Sequence, residues 1–505
     1  MLRVVEGTQS RWPIGACLTT GFAVVMLAGA VASGPGATKV AAPLAVGISF
    51  LGAFYRSLFT WRRLINLLLG VVLFVPVDAY TLPVHLPFQM EPYRLFVLLL
   101  AVAWFSSLLI DPYVSARRSG FELQLLAIVA IALISDVANT PSIGSQGIWS
   151  IVVKKLTFLL SFLLVYYILV GLVRTWGMVD ALVRVIVSCT AIVGFFSIVE
   201  FNTRFNIFDH LSRVLPFLRP QYSGFHSLEV RGGHLRVYAS SQHPIALGAL
   251  FVIVLPLGIY LWKATKQRRW IVAIGLISIG SISTISRTTI VMLLVLAVIY
   301  TRIWPREVKR LVPLLVPCIV VMHLLLPGSV GTLKEAFFPK GGIVKEQQGD
   351  AGARGSGRIA DLGPSLAEWS HHPLAGEGFG TRIIDIGPKE NANILDDQWL
   401  SSLLETGIAG IAIWIWFFVS FVRKLLRAAR ADDSPHQWLY AAFGSGIAAF
   451  AWGMLFYDAF SFIQVTLMMF IVAALSSVVL QLGGYGTQKR SAVRAEAAFS
   501  DSAAL

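Results

Sequence analysis

Cysteine and charge are both scarce in this chain. Of its 505 residues only three are cysteine and 13% are charged, whereas 56% are hydrophobic. Cys17, Cys189 and Cys318 all fall within apolar runs, so they are too few and too buried for a disulfide framework or a zinc site. No soluble domain needs this much apolar sequence, and the composition therefore indicates a membrane protein.

Apolar runs of membrane-spanning length recur throughout the chain. They predict an all-α polytopic membrane protein with about 12–14 transmembrane helices, of which the first is an uncleaved helix rather than a signal peptide. The fourteen candidate spans lie near 13–32, 40–55, 64–80, 94–110, 121–135, 149–173, 179–200, 243–262, 270–286, 288–301, 311–327, 397–420, 438–456 and 461–480.

Lysine and arginine concentrate in alternate connections between these spans. The short connections 81–93 and 136–148 contain neither residue. This is the positive-inside pattern, and it predicts that both termini are cytoplasmic. The net charge of +14 is then a matter of topology and of attraction to anionic lipid, and it does not indicate nucleic acid as a partner. The basic connections fall at 3–11, 56–63, 117–118, 174, 263–269, 302–310, 423–430 and 489–494.

Two longer loops depart from this pattern and divide the chain. Loop 201–242 is basic, and loop 328–396 is polar and rich in glycine, although the rest of the chain is apolar. Loops of such length between membrane spans are uncommon and usually functional. The predicted plan is an N-terminal helical scaffold, 1–200; a basic extracytoplasmic loop, 201–242; transmembrane helices, 243–327; a large extracytoplasmic loop, 328–396; C-terminal helices, 397–482; and a disordered cytoplasmic tail, 483–505.

Arg236 and Arg287 are the candidate anion-binding residues. Arg236 shortly precedes His243-Pro244, where a proline-led helix begins. Arg287 lies in a tight turn between two spans, on the same predicted outer side. A guanidinium can bond phosphate oxygens in pairs and stays charged. For Arg287, hydrogen bonding to neighbouring carbonyls is the structural alternative.

Lys154 and Lys155 lie more than one turn inside a predicted span. Ionisable groups at that depth usually face a partner or a wet cavity, which makes an anion site one interpretation. The other is that both side chains extend to the outer interface.

The large loop contains adjacent histidines and closely spaced glycines. His371 and His372 lack the spacing of metal ligands. The Gly376-x-Gly378-x-Gly380 run lacks the strand and helix of a dinucleotide fold. Neither a metal nor a cofactor is therefore predicted.

Asp396 and Asp397 form an acidic pair where the large loop enters the membrane. The sequence allows a helix N-cap or a proton acceptor. If a continuous helix began before the pair, Asp396 would share a face with Trp399 and Leu400.

Three features resemble the superfamily of O-antigen ligases and Wzy-type polysaccharide polymerases. They are Arg236 followed by a His-Pro helix start, the Ser-Arg-Thr turn at 286–288, and a long loop with His-Pro-Leu-x-Gly-x-Gly-x-Gly. The loop closes on a polar pair, x-Trp-Leu and Glu-x-Gly-Ile-x-Gly. The resemblance covers about residues 230–415.

The resemblance implies the architecture of the C-type glycosyltransferases and a location in the cytoplasmic, or inner, membrane. It also implies metal-independent transfer of glycan from a polyprenyl-pyrophosphate-linked oligosaccharide to a glycan or lipid acceptor on the outer face. Asp396, Arg287 and Arg236 would be catalytic. The other substrate-binding candidates are Lys154, Lys155, Arg382, His243, His372 and Asp397.

The polar pair departs from the family pattern. Ligases of the family typically have His-Asn where this chain has Asp396-Asp397. The departure favours a polymerase over a ligase. A lipid-linked-sugar transporter or a scaffold of an export complex is the alternative of another class, although a transporter does not explain the large loop.

Overall fold

The computed structural model describes residues 60–83, 91–110, 116–221, 230–231, 234–339, 341–342, 344–345, 358–382 and 395–485. The chain divides into two units, residues 1–67 and 68–505. The described residues of the first unit, 60–67, form the start of one helix. The predicted spans 13–32 and 40–55 and the tail beyond 485 lie outside the described residues.

The fold is all-α, as predicted. The helices of the described residues, in chain order, are α1 Trp61–Phe74, α2 Pro92–Ile110, α3 Glu122–Ala138, α4 Thr140–Gln146, α5 Trp149–Leu172, α6 Trp176–Thr203, α7 Pro244–Thr265, α8 Arg268–Ser283, α9 Arg287–Ile303, α10 Pro305–Leu311, α11 Leu315–Leu325, α12 Ser329–Phe337, α13 Arg358–Trp369, α14 Gln398–Ala431, α15 Gln437–Gly453 and α16 Ile463–Leu482.

The remaining regular structure is short. Strand β1, Tyr80–Thr81, pairs antiparallel with β2, Arg219–Pro220, and β3, Val230–Arg231, pairs antiparallel with β4, His234–Leu235. Turns of 3-10 helix occupy Ile207–Arg213, Val312–Leu314 and Ala459–Ser461.

Among the described residues six helices are long and apolar enough to cross a membrane: α2, α5, α6, α7, α14 and α16. The bent pair α3 and α4, with 67° between its halves, makes a seventh if it counts as one span. The other predicted spans from residue 64 onward also contain helices. Those helices have 11 to 17 residues, fewer than the roughly 20 that cross a bilayer unaided, so the total of 12–14 spans stays a prediction.

Helix α16 lies at the centre of the bundle. Every residue from Ile463 to Leu480 is buried, including polar ones. Small residues let neighbouring backbones approach closely, as is common between membrane helices. A Cβ at Gly194 in α6 would stand 2.6 Å from the carbonyl oxygen of Leu276 in α8. By contrast, α2 exposes large apolar side chains such as Leu98, Val102 and Phe105, which suits a surface against lipid.

The connections between helices lie at two opposite ends of the bundle, and contacts between them show which connections share an end. At one end Lys263, in the last turn of α7, pairs with Glu307 of α10 at 2.6 Å, and Trp176 stacks on His436 before α15. At the other end lie the start of α14, the turn between α8 and α9, and residues 372–380, here named the glycine loop. The basic connections 263–269 and 302–310 meet at the first end, and the candidate residues lie at the second, which is termed the site end.

Candidate functional site

Helix α14 is interrupted where the glycine loop meets it. Gly407 has φ 67° and ψ −169°, outside the helical region, so the helical hydrogen bonding is broken on both sides of it. The loop supplies replacement partners. The amides of Glu377 and Gly378 donate to the carbonyl oxygens of Leu404 and Glu405, at 2.9 and 3.1 Å. The loop is therefore bonded to the helix at its break.

The glycines are needed because backbone meets backbone at this junction. A Cβ at Gly376 would stand 2.4 Å from the carbonyl carbon of Glu405. One at Gly407 would stand 2.3 Å from that of Leu374. Both residues also have positive φ, which side chains disfavour. This use of closely spaced glycines differs from the phosphate-binding turn of a dinucleotide fold.

Helix α3 fixes the junction from a third side. The hydroxyl oxygen of Ser135 lies 2.6 Å from the carbonyl oxygen of Ala375 and 2.7 Å from that of Glu405. The Asn139 amide donates to the carbonyl oxygen of Gly376 at 2.9 Å. Helix α14 and the end of α3 thus hold the glycine loop in one position.

The two aspartates before α14 have different partners. Asp397 is the N-cap, since its Oδ1 accepts from the amides of Trp399 and Leu400 at 2.8 and 3.1 Å. Burial raises the pKa of Asp397 to about 6, and these two bonds oppose the rise. Asp396 pairs instead with Arg358, with Nη2 and Oδ2 3.3 Å apart. The helix begins after the pair, since the backbone at Asp397 is extended (φ −146°, ψ 109°), so Asp396 does not share with Trp399 and Leu400 the face that a continuous helix would give it.

Lys155 points into the bundle and joins a set of acidic groups. Its ammonium donates to Ser461 Oγ at 3.1 Å, and Ser461 donates to Asp458 Oδ2 at 2.5 Å. Glu405 lies within electrostatic range of both Lys155 and Asp458. Burial raises the pKa of Asp458; Lys155 opposes the rise and the nearby Asp396 adds to it. Lys155, Asp396, Glu405, Asp458 and Ser461 are termed the carboxylate cluster.

Sequence reasoning missed Asp458 and Ser461. Both lie in the short connection between α15 and α16. The available signal was an aspartate between two apolar runs, on the same predicted side as Asp396. By itself that signal is ordinary helix-end polarity, and only the packing of α5 against α16 brings Lys155 to it.

The structure separates the two predicted lysines. Lys154 is exposed, with its ammonium 5.9 Å from the ring centroid of Phe158. Successive helical residues are about 100° apart around the axis, so Lys154 and Lys155 face different surroundings. The structure brings Lys155 to the candidate site and leaves Lys154 on the surface.

Arg236 lies in the non-helical segment 236–243 that leads into α7. It is only 8% exposed, and its Nε donates to the carbonyl oxygen of Thr284 at 3.4 Å. On the other side of the segment, buried Glu200 accepts from the amide of Ala239 at 2.9 Å. The segment is thereby held between α6 and the turn that precedes α9.

Arg287 is the first residue of α9. Ser286 caps this helix, with its hydroxyl accepting from Thr289 at 3.5 Å. Arg287 Nη1 donates to the carbonyl oxygen of Ala336 in α12, which is part of the large loop, at 3.2 Å. The prediction that Arg287 shares one side with Arg236 and this loop is confirmed. The structure thus shows for Arg287 a hydrogen bond to a carbonyl, which was the structural alternative to an anion site.

His243 ends the segment 236–243 and lies next to the carboxylate cluster. Its Nδ1 accepts from the amide of Ile245 at 3.1 Å, so it acts as the N-cap of α7. Its ring stacks on Phe462 with centroids 5.4 Å apart, next to Ser461. Gln242 adds a bond from the amide of Ile463 at 3.1 Å.

The start of α14 is tied to the same end of the bundle. The Gln398 amide donates to the carbonyl oxygen of Met454 at 2.8 Å, just after α15. Met292 of α9 packs against Gly453, where a Cβ would meet its sulfur at 2.7 Å. The start of α14 and helix α9 thus both contact the end of α15.

Arg382 is bonded to carboxylates. It is 8% exposed, its Nη2 bonds to Glu368, and the same nitrogen lies 3.3 Å from Glu377. Burial raises the pKa of Glu377 to about 7, with Arg382 opposing and Glu368 adding to the rise. The charge of Arg382 is therefore balanced by carboxylates of the protein. The sequence had suggested that Arg382 contacts a phosphate of the substrate.

His372 lies at a cavity of about 360 Å³ beside the glycine loop. Glu368 and Glu377 line the same cavity, together with residues of α4. Within the described ranges no three His, Cys, Asp or Glu side chains are grouped so as to hold a metal ion. Metal-independent chemistry stays a prediction.

Residues 272–415 match the family model described as O-Antigen ligase. This match confirms the resemblance predicted from the sequence and covers the Arg287 turn, the glycine loop and Asp396. No curated protein matches the chain. The family implies an enzyme of glycosyl transfer in polysaccharide biosynthesis that acts on lipid-linked glycan in a membrane.

Proposed function

Residues 272–415 match the O-Antigen ligase family model, and from that match we propose that the chain joins glycans at the outer face of the cytoplasmic membrane. The donor is a polyprenyl-pyrophosphate-linked oligosaccharide, and the acceptor is a hydroxyl of a second glycan or lipid. Both chain termini are then cytoplasmic, and loops 201–242 and 328–396 face outward.

The observation that carries the proposal is that Arg236 and Arg287 both adjoin the turn 284–286 between α8 and α9. Arg236 is bonded to that turn, and Arg287 is the residue directly after it. The leaving pyrophosphate concentrates negative charge as its bond to the sugar breaks. Fixed guanidinium groups stabilise that charge without rearranging, because the segments that hold them are already in place.

Asp396 supports the second half of the reaction. The acceptor oxygen attacks the anomeric carbon, the bond from that carbon to the pyrophosphate oxygen breaks, and the hydroxyl proton passes to a carboxylate. Asp396 is partly exposed beside Arg358, whereas Asp397 is occupied as the helix cap. Asp396 is therefore the proposed base, and Asp397 orients the chain at the helix start.

The chain is proposed to be a polymerase rather than a ligase. The reason is the Asp-Asp pair, which replaces the His-Asn pair typical of ligases of the family. Transfer to a lipid acceptor remains the second candidate because the family match concerns ligases.

Reconstitution separates these functions from transport. Purified protein in liposomes is given a lipid-linked oligosaccharide, without ATP or an ion gradient. Formation of longer glycan supports a polymerase, and glycan on a lipid acceptor supports a ligase. Movement of the donor across the bilayer without joining would contradict the proposal.

Variants assign the arginines in the same assay. We expect Arg236→Ala and Arg287→Ala to abolish joining, and lysine at either position to restore little of it. Arg219→Ala is the matched control, because Arg219 belongs to the same loop as Arg236 and is exposed. Near-normal product from Arg287→Ala would remove Arg287 from the site.

A further inference from the structure

Three chain segments line the cavity beside the glycine loop. Helix α4 contributes Ser142 and Gln146, α13 contributes Glu368, and the segment after α13 contributes His372 and Glu377. Its volume of about 360 Å³ falls within the usual range for small-ligand sites. It lies apart from the arginine pair, and the proposed mechanism does not use it.

The lining is rich in hydrogen-bonding groups of several kinds. Amide, hydroxyl, imidazole and carboxylate groups all face it, and Ile143 is the one aliphatic side chain among its lining residues. Amides and hydroxyls both donate and accept, and carboxylates accept from hydroxyls. A ligand with many hydroxyl groups satisfies such a wall, whereas a largely apolar ligand leaves buried polar groups unpaired.

The charge of the cavity argues against phosphate. Glu368 and Glu377 are lining residues, and within the described part of the chain the cation bonded to them is Arg382. With histidine counted as neutral, these three groups sum to −1, or to zero when Glu377 is protonated. In neither state does this group of side chains carry the positive charge that would favour a pyrophosphate.

The wall is also held in position before any ligand binds. Glu377 is bonded through its amide to Leu404, and Thr381 Oγ1 donates to the carbonyl oxygen of Gly378 at 2.7 Å. Asn139, at the start of α4, holds Gly376. Preformed walls reduce the ordering cost of binding, which matters for weakly bound sugars.

The glycine loop joins this cavity to the carboxylate cluster. Glu377 and Thr381 face the cavity, whereas Gly380 lies against the side chain of Lys155, where a Cβ would stand 2.6 Å from the lysine Cβ. The Gly380 amide also bonds to the carboxylate of Glu405. A glycan bound in the cavity would therefore be separated from the carboxylate cluster, which includes Asp396, by the glycine loop alone.

We propose that this cavity binds uncharged, hydroxyl-bearing sugar residues of a glycan, while the arginine pair holds the pyrophosphate. The inference rests on the proposed function, since it assigns a second part of the same substrates. The glycan is either the chain on the lipid-linked donor or that of the acceptor, and both present the same chemistry to the wall.

The test compares tryptophan at two positions of one helix. Ser142→Trp places a bulky ring in the cavity, and Ser145→Trp is the matched control because Ser145 is exposed on α4 and does not line it. Gln146→Ala and His372→Ala are milder variants, included in case Ser142→Trp misfolds. Thermal unfolding of every variant shows whether it is folded. The probe is a mixture of short oligosaccharides from partial acid hydrolysis of the source organism's own polysaccharide. Saturation-transfer NMR detects its contact with protein in nanodiscs.

We expect Ser142→Trp to reduce saturation transfer at least fivefold and Ser145→Trp to stay within a factor of two of the original protein. Equal signals from the two variants, or no signal from the original protein, would overturn the inference. Neither measurement requires turnover, so a protein that joins glycans yet shows no effect of Ser142→Trp retains its function and loses this site.

Kinetics then identify which glycan occupies the cavity. A raised KM for the lipid-linked donor in Gln146→Ala and His372→Ala assigns the donor chain, and a raised KM for the acceptor assigns the acceptor. An unchanged KM for both substrates in both variants would contradict the site.

Discussion

Exchange of Asp396 or Asp397 for asparagine separates a proton acceptor from a helix cap. Asparagine keeps the shape of aspartate and caps helices about as well, but it cannot take up a proton. Asp397 makes two cap bonds, at 2.8 and 3.1 Å, and both survive in Asp397→Asn. The cap of α14 is Asp397, whereas Asp396 pairs with Arg358.

The expected magnitudes differ enough to decide between the roles. The Asp396–Arg358 pair is 3.3 Å apart and about one-fifth exposed, so its loss costs about 0–1 kcal/mol of stability. Loss of a general base lowers the rate by about 10²–10⁴, equivalent to about 3–5 kcal/mol in the barrier. We expect Asp396→Asn to lose activity by that factor while the protein remains folded, and Asp397→Asn to stay within about tenfold of the original rate.

The assay is initial-rate formation of joined glycan by protein in nanodiscs, with thermal unfolding of each variant in parallel. Asp397→Ala serves as the structural control, since loss of the cap costs about 1 kcal/mol and lowers the unfolding temperature. Full activity of Asp396→Asn would refute the reasoning. A larger loss from Asp397→Asn would move the base by one residue, and activity in both variants would leave the pair as a cap alone.

Four further predictions concern the helix break, pH, metal and topology. Gly407→Ala should sharply lower the unfolding temperature, because its Cβ would stand 2.3 Å from the backbone of Leu374, whereas Gly363→Ala, which meets open space, should not. The raised pKa of Glu377 means that its protonated form stabilises the fold; this contribution is complete below pH 4.5 and is lost as pH rises through about 7. The unfolding temperature should therefore fall over that interval by less in Glu377→Gln than in the original protein. Chelation with EDTA should leave joining intact, and a loss restored by Mg²⁺ or Mn²⁺ would make the acidic residues a metal site. Reporter fusions at Lys266 and Gly349 should report opposite sides of the membrane, and the same side would contradict the topology.

The apolar runs predicted where helices lie, because membrane helices are specified by length and hydropathy. Helices α5, α6 and α7 begin and end within a few residues of the predicted spans. The end of α14 was not predicted, since the helix continues to Ala431 beyond the apolar run and into basic sequence. Charge does not stop a helix once it has left the hydrocarbon.

The candidate site was predictable where a motif fixed the local backbone. The turn at Ser286-Arg287 and the cap at Asp397 are of this kind, because both roles follow from residue type beside a helix start. The break at Gly407 was not predicted, since a single glycine in an apolar helix is usually tolerated. It exists because the glycine loop supplies hydrogen bonds from about thirty residues earlier.

Contacts between distant segments were beyond sequence reasoning. Lys155 and Asp458 meet because α5 packs on α16, and no pattern in either segment indicates its neighbour. Arg382 looked like one more cation for a phosphate, and its two glutamate partners became visible only in the fold.

The most direct test of the central claim is the stoichiometry of leaving-group release. Reconstituted protein with a radiolabelled lipid-linked oligosaccharide should release about one polyprenyl pyrophosphate for each glycosidic bond formed, with no nucleotide present. Arg287→Ala should lower both quantities together by at least a hundredfold. Bond formation without release of polyprenyl pyrophosphate, or unchanged release in Arg287→Ala, would contradict the account.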